Sequence, residues 1–159
     1  MTTGLIELSE HAPQAVAVVH GHVKNSEYDD FLAAAFTEVT RLLADQRLTP
    51  AGPPFARYRA TGVGLDVDAG IPVDDRFLPS GRVTADTLPG GPVVTAAHVG
   101  DPGTVGFTYE TLQEGRAGNN YRSAGDPWET YPDGGSGRTL VTVPCRPNPG
   151  DPRPQHIRP

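Results

Sequence analysis

The sequence predicts an α+β domain made of two pseudo-symmetric strand–helix–strand–strand (βαββ) repeats. They form one antiparallel sheet with helices on one face and a groove where the repeats meet. Three observations predict this. The chain has 159 residues, 36% of them hydrophobic, which suits one ordinary core. One long apolar stripe at helical spacing is flanked by short β-branched runs. A turn motif also recurs at a constant offset of 73, with an apolar face in register behind it.

The elements follow in order. Gln14-Ala-Val-Ala-Val-Val-His20 is short, β-branched and bounded by Pro13 and Gly21, and reads as a buried strand. Asp29 or Asp30 is placed to cap a helix whose stripe is Phe31, Leu32, Ala35, Phe36, Val39, Leu42 and Leu43; it runs to about Gln46, ahead of Pro50 and Gly52. Phe55–Ala60 and Leu65–Ile71 follow as strands, the latter alternating apolar and acidic residues with period two. A linker from Ile71 to Gly81 leads to Arg82–Leu88, an edge or crossover strand, and Pro89-Gly-Gly-Pro92 marks the midpoint.

Val93–His98 then opens the second half as another strand. Ala51-Gly-Pro-Pro-Phe-Ala-Arg-Tyr58 is echoed by Ala124-Gly-Asp-Pro-Trp-Glu-Thr-Tyr131, sharing Ala, Gly, Pro and Tyr with an aromatic in the same slot. The same offset pairs Leu32 with Val105, Phe36 with Tyr109 and Val39 with Leu112. The expected organisation is one domain over 1–144, with repeat one at about 14–73 and repeat two at about 92–144. From Pro144 onward six prolines fall in sixteen residues, so 145–159 reads as an extended tail.

Composition removes several function classes. With 19 acidic against 13 basic residues and a formal charge of −6, no phosphate-neutralising surface is expected, so direct nucleic-acid binding and anionic membranes are disfavoured. The single cysteine, Cys145, permits no intrachain disulfide and no cysteine-based metal centre, and the chain shows no leader or membrane-length apolar run. A cytoplasmic monomer or weak homodimer without cofactor is expected. His20, His22 and His98 sit at strand ends that the repeat makes equivalent, so no metal site is expected from them. Asp66, Asp68, Asp74 and Asp75 are expected to face solvent, although Asp66 and Asp68 share a strand face and leave open a weak divalent-ion role; Asn119–Arg122 is expected to form a loop, with contact to a polar substrate as the alternative. Gly134-Gly-Ser-Gly137 lacks the Lys and helix of a phosphate loop and reads as a hairpin turn.

The chemistry is expected where the repeats differ. Glu129 stands where the first copy has Ala56, and period two puts it on one strand face with Tyr131, opposite Tyr58. A carboxylate among aromatic rings suits an organic cation, supplying counter-charge and cation–π attraction. Spacing alone leaves open that Glu129 is a solvated strand residue and that Tyr58, Tyr131 and Trp128 are core.

His98-Val-Gly100, the helical Tyr109, the stretch Gly125-Asp-Pro-Trp-Glu-Thr-Tyr131 and the strand Thr139–Pro144 together resemble the GyrI-like family, relatives of the effector-binding domains of bacterial drug-responsive transcription activators. The resemblance spans about Gln14 to Pro144. It implies paired βαββ units, an aromatic groove and a glutamate contacting cationic or amphiphilic ligands, a position that Glu129 fills. The implied ligand-binding set is Glu129, Tyr131, Tyr58, Trp128, Tyr109 and Phe36. It also implies an alternative, because some stand-alone members of the family are hydrolases that open strained rings in toxic natural products. Glu129 would then be general acid or base with Tyr131, in a cofactor-independent hydrolase or cyclase. A third reading is a protein-interaction inhibitor of the gyrase-inhibiting kind. The chain departs from the family at Asp101–Gly118, where Gly106, Gly115 and Gly118 weaken a second helix. With no basic helix-turn-helix ahead of Gln14, a sensor built on this domain would need a partner.

Overall fold

The computed structural model describes residues 2–3, 7–99, 121–133 and 138–147. Ten strands and one helix lie within them: β1 (Thr2–Thr3), β2 (Glu7–His11), β3 (Gln14–Val23), α1 (Tyr28–Asp45), β4 (Phe55–Thr61), β5 (Gly64–Pro72), β6 (Val83–Leu88), β7 (Gly91–Val99), β8 (Tyr121–Ser123), β9 (Trp128–Thr130) and β10 (Arg138–Pro147). The architecture is α+β, with antiparallel pairing throughout. The expected second helix and the Gly134–Gly137 turn lie outside the described residues. No helix among the described residues is long and apolar enough to cross a membrane.

The helix starts two or three residues earlier than capping by Asp29 or Asp30 would place it. A 3-10 turn at Asn25–Glu27 precedes it, in which Glu27 accepts from the Lys24 backbone N–H (2.9 Å) and donates its own N–H to the Lys24 carbonyl (2.8 Å). That reciprocal pair caps the chain, and Asp29 and Asp30 fall inside the first turn, where they favour the positive end of the helix dipole. At the far end Arg47 takes a left-handed conformation (φ 58°), its N–H meeting Ala44 O and that of Leu48 meeting Leu43 O. This is a Schellman closure.

Sheet order is β1-β7-β10-β9-β4-β5-β3-β6, with β2 also on β7 and β8 on β10. The two halves therefore join at β4 and β9, where Ala56 pairs with Glu129, flanked by Phe55 with Thr130 and Arg57 with Trp128. Since Phe55 and Trp128 are repeat mates, as are Arg57 and Thr130, the pseudo-two-fold axis passes through the Ala56–Glu129 pair.

The sequence gives no hint of what the first strand of each half does. β2 precedes β3 but pairs with β7, from Glu7 opposite Thr95 to His11 opposite Gly91; β6 precedes β7 but pairs with β3, from Gln14 opposite Leu88 to Val19 opposite Val83. The halves exchange arms. The links are only Ala12-Pro13 and Pro89-Gly90, too short to bridge strands at opposite ends of a flat sheet, so the sheet curls. The arms cross at Gly90, where a Cβ would lie 2.6 Å from Pro13 Cδ.

The curl separates two apolar layers. On the α1 face, Ala17, Val19, Ala56, Val67 and Ala69 of the sheet bury Ala35, Val39, Leu42 and Leu43 of the helix. Gly21 lets the helix approach, because a Cβ there would meet the Phe31 ring at 2.5 Å. On the other face Val16, Val18, Phe55, Leu88, Val93 and Trp128 form a second cluster. In the second half Val94, Ala96, Tyr121, Val141 and Cys145 form a third. Two expectations change here. Tyr121 and Arg122 belong to a strand, with Tyr121 buried, and β10 runs to Pro147, so Cys145 is core although its neighbours are rich in proline.

Candidate ligand site

The repeated Pro and Tyr of the turn motif have a shared purpose. The Tyr131 N–H donates to the Pro54 carbonyl (2.9 Å) and the Tyr58 N–H to the Pro127 carbonyl (3.3 Å), so each half holds the tyrosine of the other. Both side chains then rise on the α1 face beside the axis. Glu129, on that axis, accepts the Tyr58 hydroxyl at Oε2 (3.0 Å) and the Tyr131 hydroxyl at Oε1 (2.9 Å). The carboxylate thus receives one phenol from each repeat, as period-two reasoning from the sequence anticipates.

A third phenol completes the arrangement. Tyr28, the first residue of α1, lies 3.4 Å from the Tyr131 hydroxyl and meets the Tyr58 ring edge-on at 6.2 Å. Two turns along, Phe36 meets the Tyr131 ring at 6.1 Å in the same manner. Tyr28 escaped the sequence reading because the stripe was started after the acidic pair. The signal was there: Tyr28, Leu32, Phe36 and Val39 continue the spacing of three and four.

Of the predicted set, Glu129, Tyr131, Tyr58 and Phe36 come together. Trp128 does not join them: adjacent residues of a strand point to opposite faces, and Trp128 is packed with Phe55 and Val16 behind the sheet. Tyr109 lies outside the described residues.

Burial first, and the negative Glu129 second, push the Tyr28 phenol up to about 12 and the Tyr131 phenol well above its ordinary range. Both stay protonated at neutral pH and act as donors. Neither they nor Tyr58 carry a positive charge, so these hydrogen bonds orient the carboxylate without neutralising it. The product is an oriented carboxylate with four aromatic rings around it on the helix face of the sheet.

No protein-family model and no curated protein sequence matches the chain. Solved structures do. The crystal structure of the EcmrR C-terminal domain superposes with a TM-score of 0.76 at 18% identity, covering 92% of this chain and 99% of that one. The chain has the GyrI-like fold. In an EcmrR–DNA complex the match has a TM-score of 0.74 at 19% identity, covers 90% of this chain, and spans only 57% of the EcmrR chain. A hydrolase from Listeria innocua superposes with a TM-score of 0.65 at 12% identity, covering 89% of this chain and 92% of its own. SAV2435 bound to tetraphenylphosphonium, an organic cation, superposes at 0.63 with 14% identity, covering 89% and 94%.

Proposed function

We propose that this chain binds an amphiphilic organic cation on the α1 face, with Glu129 as counter-charge and Tyr28, Tyr58, Tyr131 and Phe36 as aromatic wall. The observation that carries the reading is the pair of phenol hydrogen bonds, one from each repeat, that orients the Glu129 carboxylate beside aromatic rings. A hydrated ammonium or phosphonium loses little on leaving water when it is bulky and its charge is spread, and regains it from the carboxylate and the ring faces. Tetraphenylphosphonium in a neighbour of the same fold is consistent with that chemistry. With one unit charge at ~5 Å and an effective dielectric near 20, the attraction is about 3 kcal/mol before screening, on the order of 100-fold in affinity, and solvent and salt at a half-buried site reduce it toward tenfold. The test is calorimetric titration of tetraphenylphosphonium into the parent chain and Glu129→Gln. A loss of tenfold or more is expected, and equal affinity overturns the reading.

A second reading has one observation in its favour: Glu129 and Tyr131 form a carboxylate–phenol pair at 2.9 Å, an acid–base couple fit for hydrolysis. Mass spectrometry of candidate strained-ring compounds, incubated with each chain, separates the two. Hydrolysis adds one water to the compound, and Glu129→Gln abolishes that change while retaining binding.

A further inference from the structure

The sheet face opposite Glu129 carries two rows of charged side chains. Each crosses three strands in register: Arg57 on β4, Asp68 on β5 and His20 on β3, then Arg59, Asp66 and His22. Asp68 bonds His20 Nδ1 through one oxygen (2.7 Å) and Arg57 through the other (3.0 Å). Asp66 does the same with His22 Nδ1 (2.7 Å) and Arg59 (3.0 Å). Arg57 also reaches Asp86 on the edge strand β6 at 2.7 Å.

The repeat does not account for these histidines, contrary to the sequence expectation. Followed outward from the Ala56–Glu129 pair, Arg57, Asp68 and His20 correspond to Thr130, Leu140 and Ala97, and Asp66 and His22 to Arg138 and Val99. His98 falls opposite Thr139, the counterpart of Val67 and hence of Gly21. The rows belong to the first half alone.

Chemistry fixes the tautomer. An ionised carboxylate only accepts, so each Nδ1 is the donor and each neutral imidazole keeps its lone pair on Nε2. No described hydrogen bond reaches either Nε2. The His20 and His22 side chains are 65% and 47% exposed, so both rings are open to solvent. Two residues apart on one strand face, the histidines have Cα atoms about 7 Å apart, a gap two tilted rings can close onto one ion. Carboxylate support of the far nitrogen is what metal-ligating histidines require, since it sets the tautomer, the ring orientation and the basicity.

We propose that His20 and His22 form a two-point site for a divalent transition-metal ion such as Zn²⁺, each ring held by an aspartate that an arginine holds in turn. Among the described residues no three His, Cys, Asp or Glu side chains converge, so the ion takes two protein nitrogens and completes its shell with water. The site lies behind the sheet from Glu129 and is independent of the cation reading.

The experiment is calorimetric titration of Zn²⁺ into the parent chain, His20→Ala, His22→Ala, the double His variant, Asp66→Asn and Asp68→Asn, each shown folded by circular dichroism. One ion per chain is expected, weakened at least tenfold by either histidine change and 10- to 100-fold by either asparagine change. The proposal is overturned if the double His variant binds Zn²⁺ as the parent does, or if both asparagine variants keep the parent affinity.

Discussion

Replacing Tyr131 by Phe removes one oxygen from the centre of the site and leaves its ring contact with Phe36 in place. Tyr131 is 8% exposed, and its hydroxyl donates to Glu129 Oε1 at 2.9 Å. Hydrogen bonds to charged groups contribute about 1.5–3 kcal/mol. Glu129 is only half-buried, so water replaces part of the loss and the lower end, about 1.5 kcal/mol, applies. For a chain of this size that is a fall in Tm of roughly 3–6 °C, measurable by urea or thermal unfolding. Combining Tyr131→Phe with Glu129→Gln in a double-mutant cycle isolates the charged part of the bond, because the glutamine carbonyl still accepts but carries no charge. The expected coupling is about 1 kcal/mol. A coupling within about 0.3 kcal/mol of zero would mean that the phenol and carboxylate do not act on each other, and the geometry of the site would be refuted.

Three further outcomes follow from the same coordinates. The raised Tyr28 phenol is protonated in the native state up to about 12 but titrates near 10 when unfolded; its contribution is therefore full below pH 10 and is lost as pH rises through the window to 12, at about 1.4 kcal/mol per pH unit. Denaturation from pH 9 to 12 checks this, and Tyr28→Phe should flatten the slope by one proton's worth. Arg47→Gly relieves a left-handed non-glycine residue in the Schellman closure and should stabilise by about 1 kcal/mol, read as a raised urea midpoint at unchanged m-value. Gly21→Ala pushes a Cβ to 2.5 Å from the Phe31 ring and should cost about 1–3 kcal/mol in the same assay as the front of α1 is displaced.

Local patterning made much of this legible. Gln14–His20, Phe55–Ala60 and Leu65–Ile71 carry β-branched runs or strict alternation, and each is a strand. The Pro and Tyr repeated at an offset of 73 are the residues that hold the halves together, because the pseudo-axis requires the same bond twice. What stayed hidden depends on distant partners. β2 shows no apolar pattern, since only Leu8 among its residues is half-buried, and its partner lies far along the chain in β7. Cys145 is core because β8 covers the end of β10, which the surrounding prolines conceal. The histidines misled because the offset of 73 holds for β4 and β9 but not for β3 and β7, which the intervening loops shift. Trp128, by contrast, could have been assigned away from Glu129 by strand alternation alone.

The central claim is that the charge of Glu129 selects the sign of what binds beside it. Tetraphenylphosphonium and tetraphenylborate have nearly the same shape and opposite charge, so their affinities for the parent chain and for Glu129→Gln isolate that charge. The parent is expected to favour the cation by at least tenfold and Glu129→Gln to collapse the preference; equal affinity of the parent chain for both ions would rule out selection by the Glu129 charge.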